Sequence, residues 1–258
     1  MVGTAKRAAI AAARVIFPIA VLFGGWQALS QSGLFPDNIL VPPQQVYFAL
    51  LGLIQDGELS NDLEVSSARV LAGFLAGSTA GLATGLIFGL SPTAYRYFGL
   101  LFNVMRQVPF IAWGPLLILL FGIGEGFKVL IIANAAFFPV ALNTLDGVRN
   151  VPAPLREVAS VFGFSRWSVA RRILLPGTLP FILTGLRLGL SRSWMIVVGA
   201  ELFGSSNGIG HMMDWGREMF ELDNVMVGVL VTGSIGFILD QSLRLVEARV
   251  SPWKPAGA

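Results

Sequence analysis

The sequence predicts an all-α, polytopic membrane protein with about six spanning helices. Composition is the first reason. Of 258 residues, 54% are hydrophobic and only 13% charged, and the mean hydropathy is +0.71. An ordinary soluble domain carries about 25% charged residues. The second reason is patterning: apolar stretches of about 20 residues, enough to cross a hydrocarbon core, alternate with short polar segments. The third is the placing of the basic residues. They gather at the ends of the apolar stretches, so the pI near 9.7 reads as membrane topology and not as nucleic-acid binding. The chain has no cysteine, which excludes disulfides, thiolate metal sites and a cysteine nucleophile.

Residues 1–14 are short and basic, with Lys6, Arg7 and Arg14. Val15 to Leu29 is apolar and, with Ala8–Ala13, long enough to span. Ala28-Leu29-Ser30 is loosely cleavage-like, but an uncleaved first helix is expected because more spans follow. Trp26 suits an interfacial anchor. Residues 31–65 hold no Lys or Arg and the acids Asp37, Asp56, Glu58, Asp62 and Glu64. Within them Pro42-Pro43 opens a short helix, about Gln44 to Gln55, suited to the outer interface.

The second span is Ser66 to Leu90. Gly73, Gly77, Gly81, Gly85 and Gly89 recur at every fourth position. On a helix they make a groove without side chains, for close packing inside one subunit or for a homodimer seam. The third span, about Phe98 to Phe121, is interrupted by Pro109 and Pro115. The fourth, about Phe127 to Leu145, contains Asn134, Pro139 and Asn143. Leu179 to Phe203 is the fifth, opened by Thr178 and Pro180. Gly204 to Asn224 reads as a polar loop, and Val225 to Leu245 as the sixth span.

Counting charges orients the chain. With the N-terminus inside, inner segments carry Lys6, Arg7, Arg14, Arg96, Arg149, Arg156, Arg166, Arg171, Arg172, Arg244, Arg249 and Lys254, and outer ones Arg69, Lys128 and Arg217. Twelve against three puts both termini in the cytoplasm.

The polar stretch Glu157 to Pro176, EVASVFGFSRWSVARRILLP, lies on that inner side. Pro152 and Pro154 suit a helix start. Glu157 falls near the first turn, where the helix dipole favours an anion. Val158, Ala159, Val161 and Phe162 form a short apolar stripe. Gly163 breaks the helix, Ser165 can cap a second one through Trp167, Val169 and Ile173, and Pro176-Gly177 ends it. The product is a helix, a bend and a helix, with an apolar face and a basic rim suited to docking.

The spacing Glu157-Val-Ala159, three residues, Gly163, nine residues, Ile173, one residue, Leu-Pro176 resembles the EAA loop of bacterial ABC importer permeases. It departs only at Val158, where the family usually has alanine. The similarity extends from about Leu63 to Ile209. SSARVLAGFLAG, RQVPFIAWGPLLILLFGIGEGFK, FFPVALNTLDGV and GLRLGLSRSWMIVVGAEL look most like permeases of the nitrate, sulfonate and taurine type. The resemblance implies a type I ABC importer transmembrane-domain fold in one permease domain, 1–258, with a family-like core of about 63–250 and a cytoplasmic coupling loop of 150–177. It implies a homodimer of permeases, two cytoplasmic ATPase subunits and a periplasmic solute-binding protein in a bacterial inner membrane. The coupling residues would be Glu157, Ala159, Gly163, Phe164, Arg166 and Trp167. No cofactor is expected on this chain; ATP and Mg would sit in the ATPases.

The residues themselves agree with a transport role. No P-loop and no HExxH occur, and the single His211 has no companion for a metal or a triad. No enzymatic activity is expected. Ionisable residues within spans are costly and point to function. Arg106, Arg187, Arg192 and Glu201 are of this kind. Arg106, Pro109, Asn134, Arg192 and Glu201 are candidates for a translocation pathway. Arg192 either faces the pore, aiding an anion, or pairs internally with Glu201 or Asp240. The alternative to an ABC permease is an ion-coupled secondary transporter, which needs a deep carboxylate; Asp240 is the one such residue. The solute itself stays open among nitrate, bicarbonate, taurine, other sulfonates and organic anions, and a neutral pyrimidine precursor.

Overall fold

The computed structural model describes residues 2–36 and 39–250, and every regular element in them is helical. Asp37, Lys254 and the side chains of Lys6, Arg7, Arg156 and Arg166 lie outside the described residues. Glu58–Leu90, Glu125–Arg149, Trp167–Glu201 and Leu222–Val250 are long and apolar enough to cross a membrane. The chain divides into two compact units.

One unit comprises residues 1–61 and 212–230. Its first helix, α1, is Val2–Gln31, and α2 is Pro43–Gln55, close to the expected short helix. Pro43 stands in the first turn of α2, where a missing amide costs nothing. The indole of Trp26 donates to the Val41 carbonyl at 2.9 Å, which ties the end of α1 to the segment leading into α2. This unit also holds parts of α10 (Ile209–Glu218) and α11 (Leu222–Val250). The expected 204–224 loop is therefore corrected: its middle, Ile209–Glu218, is helical, and α11 already begins at Leu222. A Gly-rich start suggested a loop, but Ile209, Met212 and Met213 give the helix an apolar side, and Ile209 and Met212 are buried.

The other unit, residues 62–211 and 231–258, is built around α6, Glu125–Arg149. Phe127, Ile132, Ala136, Val140 and Val148 are buried along it. The helix α3, Glu58–Leu90, lies on one side. A β-carbon added at Gly73 would stand 2.6 Å from Ile132, at Gly85 2.5 Å from the Ala141 carbonyl and at Gly89 2.6 Å from Val148. The five-glycine ladder thus seats α3 on α6 within one subunit, the first of its two expected uses. The long helix α9, Leu175–Glu201, packs on another side of α6 by the same device: Gly185 meets Asn143 and Gly189 meets Val140 and Ala136.

Three expectations need correction here. The third span is interrupted at Pro109, as expected, whereas Pro115 stands in the first turn of a helix and interrupts none. The span is α4 (Pro92–Met105), an irregular stretch, a 3-10 turn at Phe110–Trp113 and α5 (Gly114–Phe121). Pro109 disfavours a helical Val108 and supplies no amide, so the helix stops just before it. The fifth span does not begin at Leu179, and Pro176-Gly177 ends nothing. After α7 (Ala153–Val161), the short helix α8 (Arg166–Val169) runs through a π-helical turn at Ala170–Leu174 directly into α9. Pro176 falls in the first turn of α9, and the wider π turn before it absorbs the mismatch. The continuous apolar helix is Trp167–Glu201, 35 residues. Finally, α3 starts at Glu58, eight residues before the expected Ser66.

Candidate functional site

The break between α4 and α5 faces a cavity of about 340 Å³. Arg106, Gln107, Val108 and Pro109 form one wall of it. Asn134 and Phe138, a turn apart on α6, form a second, and Arg192, Met195 and Ile196 on one face of α9 a third. Non-helical backbone at membrane depth is tolerated where it lines a cavity, and the 106–109 segment does so. The structure therefore brings together four of the five residues singled out as a pathway: Arg106, Pro109, Asn134 and Arg192. Neither Arg106 nor Arg192 makes an ion pair among the described residues, and both are exposed. No acid lines the cavity.

Glu201 lies elsewhere. It is 1% exposed and belongs to a closed ionic cluster at the ends of α3, α6 and α9 remote from α7. Arg69 Nη1 donates to Glu201 Oε1 at 2.8 Å, and Ser66 Oγ to the same oxygen at 2.8 Å. The amide of Gly210 donates to Glu201 Oε2 at 2.8 Å. Arg69 Nε and Nη2 reach Glu125 at 2.7 Å each, and Nη1 and Nη2 take the Asn207 carbonyl and side-chain oxygen. All five guanidinium donors are thereby used. Asp62 accepts from the Gly208 amide at 2.7 Å and Ser66 from the Ile209 amide at 3.0 Å. Gly208 has φ +106°, and an added β-carbon would collide with Glu201 and Arg69, so glycine is required there.

Both internal partners considered for Arg192 are thus committed elsewhere. Asp240 of α11 pairs with Arg187 at 3.0 Å and with Arg244 at 3.0 Å, and Glu247 takes Arg187 Nε at 3.1 Å.

At the opposite end, α7 carries the docking features. Ala159 is buried, whereas Val158, Val161, Phe162, Phe164 and Trp167 are exposed, Val161 by 85% and Trp167 by 73%. Gly163 has φ +67°, and the Phe164 amide donates back to the Ala159 carbonyl at 2.9 Å. This is a left-handed C-terminal cap, which glycine adopts without strain. Ser165 accepts from the Ser168 amide at 3.2 Å and so caps α8, as expected. Glu157 is exposed. An exposed apolar stripe on a short, well-capped helix marks an interaction site.

Sequence reasoning missed Gln107, Val108, Ala135, Phe138, Met195 and Ile196 in the cavity, and of the Arg69 cluster it singled out only Glu201 as a candidate. A signal existed for some of them. Met195 and Ile196 follow Arg192 at three and four residues, on one helix face. Asp62, Ser66 and Arg69 fall at i, i+4 and i+7, along one face of a helix.

Comparison with known proteins agrees with this architecture. The family described as "Binding-protein-dependent transport system inner membrane component" matches residues 73–252. The putative aliphatic sulfonates transport permease protein SsuC of Bacillus subtilis (strain 168) is 37% identical over 235 residues, spanning 91% of this chain and 85% of its own. The taurine transport system permease protein TauC of Escherichia coli (strain K12) is 37% identical over 240 residues, 91% and 87% of the two chains. The nitrate import permease protein NrtB of Leptolyngbya laminosa is 30% identical over 261 residues, 98% and 91%. Among solved structures, an inward-facing MetNI methionine ABC transporter aligns with a TM-score of 0.57 at 19% identity, covering 70% of this chain and 92% of that one. That likeness concerns the fold alone.

Proposed function

The chain belongs to the family of binding-protein-dependent transport inner-membrane components and is the permease subunit of an ABC importer, and we propose that it conducts a small anion between the walls formed by Arg106, Asn134 and Arg192. It is a multi-pass inner-membrane protein that works with ATPase and solute-binding partners. The observation that carries the anion reading is the cavity that, among the described residues, holds two guanidiniums without an ion pair and no acid. A cation without a carboxylate at membrane depth is costly, and water or a passing anion offsets it. The relatives named for sulfonate, taurine and nitrate support the same class; bicarbonate is likewise a small anion.

The working assembly is two copies of this chain, two ATPases and one binding protein. Both termini and α7 face the cytoplasm, a reading supported by the distribution of basic residues. ATP and Mg reside in the ATPases, and this chain binds no cofactor and performs no covalent chemistry. Its α7–α8 segment, with Glu157, Ala159, Gly163, Phe164, Arg166 and Trp167, seats in an ATPase groove. Closure of the ATPases draws two such helices together and turns the cavity outward. The 106–109 break and the π turn at Ala170–Leu174 are the places where helices can bend as this happens. An ion-coupled carrier fits poorly, because the deep carboxylate it requires, Asp240, is held by Arg187 and Arg244.

Uptake by the reconstituted assembly tests both parts. Arg192→Gln is expected to lower anion uptake about tenfold or more with assembly intact, and Arg192→Lys to retain part of the rate because it keeps the charge. An unchanged rate in a stable Gln variant removes the residue from the pathway. Gly163→Glu forces a left-handed backbone on a residue with a β-carbon, at about 1–2 kcal/mol. It and Glu157→Lys should leave the permease in the membrane while ATPase association and uptake are lost. Survival of both functions in both variants shows that α7 is not the coupling element.

A further inference from the structure

The lining of the 106–109 cavity combines two kinds of side chain. Arg106, Gln107, Asn134 and Arg192 supply donors, whereas Val108, Phe138, Met195 and Ile196 are apolar. A passage for a bare inorganic anion has no use for the second group, since a hydrated ion gains nothing from an apolar wall. Volume points the same way. At about 30 Å³ per water, 340 Å³ holds about eleven water-sized groups, far more than a four-atom ion fills. Pockets that bind solutes pair a mostly apolar lining with a few polar groups that orient the ligand, and their volumes begin near 300 Å³.

Resting on the permease reading above, we infer that this cavity is a binding site within the membrane for an amphiphilic monoanion, one charged head joined to a short apolar body. The head lies between Arg106 and Arg192, with Asn134 and Gln107 as neutral donors. The body lies against Met195, Ile196 and Phe138. Arg192 and Met195 are three residues apart on α9, so one helix face presents both the charge and the apolar contact. The permease then contributes its own selectivity, separate from that of the binding protein.

The test uses the permease in complex with its ATPase, in lipid nanodiscs and without the binding protein. Calorimetry compares nitrate, methanesulfonate and butane-1-sulfonate as probes. Butanesulfonate should bind saturably and about tenfold or more tighter than methanesulfonate, through its added methylenes, with nitrate weakest. Met195→Ala should reduce the butanesulfonate affinity several-fold and leave that for methanesulfonate, while Arg192→Gln weakens both. Met195→Leu, which keeps the apolar volume, should restore butanesulfonate binding. Equal affinities for nitrate and butanesulfonate overturn the inference. So does the absence of saturable binding; if Arg192→Gln still slows uptake by the full assembly, the pathway reading survives that result. If the Arg192→Gln complex takes up anions at the normal rate, both fall together.

Discussion

Arg69 and Arg192 lie in one compact unit of the same protein, each on a long apolar helix, and they are used in opposite ways. Arg69 is 4% exposed, and every donor on its guanidinium meets an oxygen of Glu125, Glu201 or Asn207. Arg192 is exposed toward a cavity and is paired with no acid among the described residues. The difference is one of neighbours. Beside Arg69, Asp62, Ser66 and Glu201 accept from the amides of Gly208, Ile209 and Gly210 and tie that loop to the same cluster. Around Arg192, the neighbours are Asn134, Met195 and a broken helix. A charge whose partners belong to the protein fixes helices together; a charge left without one is available to a solute. Arg187, shared between Asp240 and Glu247 at 18% exposure of its side chain, is an intermediate case.

Stability measurements should reproduce that order. Arg69→Met is expected to have the largest effect, about 3–5 kcal/mol, because it leaves the buried Glu201 carboxylate without its counter-charge. Thermal unfolding in detergent, followed by loss of monodispersity, reads it. Adding Glu201→Gln should recover part of the loss, since the second substitution removes the stranded charge. A mild effect of Arg69→Met alone would mean that the cluster does not hold the helix ends. Arg187→Met should follow at about 1.5–3 kcal/mol, the usual range for hydrogen bonds to charged groups. If it proves neutral, the α9–α11 contact rests on packing such as that of Trp194, whose indole donates to the Thr232 carbonyl at 2.9 Å. Smallest is Arg192→Gln, expected to lie within about 0.5 kcal/mol of the parent, although its effect on uptake is the largest of the three. A destabilised Arg192→Gln protein would show that this arginine has a structural partner after all and would dissolve the contrast with Arg69.

The amino-acid sequence by itself determined the class of the protein, its apolar segments, the α7–bend–α8 device and the family. These depend on local quantities. Hydropathy over about 20 residues, the proline and glycine that bound α7, and the spacing from Glu157 to Pro176 can be read without knowing what lies nearby in space. Even the glycine ladder was legible as a place of close approach, though not which helix approaches. Only the tertiary structure decided that α6 fills the ladder, that Glu201 belongs to Arg69 and not to Arg192, and that Arg106, Asn134 and Arg192 share one cavity. Pairing across α3, α6 and α9 joins residues far apart in sequence, 56 positions for Arg69 and Glu125 and 135 for Ser66 and Glu201, and helical periodicity holds no record of such a partner. The continuity of α8 into α9 through Pro176 was hidden for a related reason: whether a proline ends a helix or lies in its first turn depends on what the turn before it can absorb, and here a π turn absorbs it.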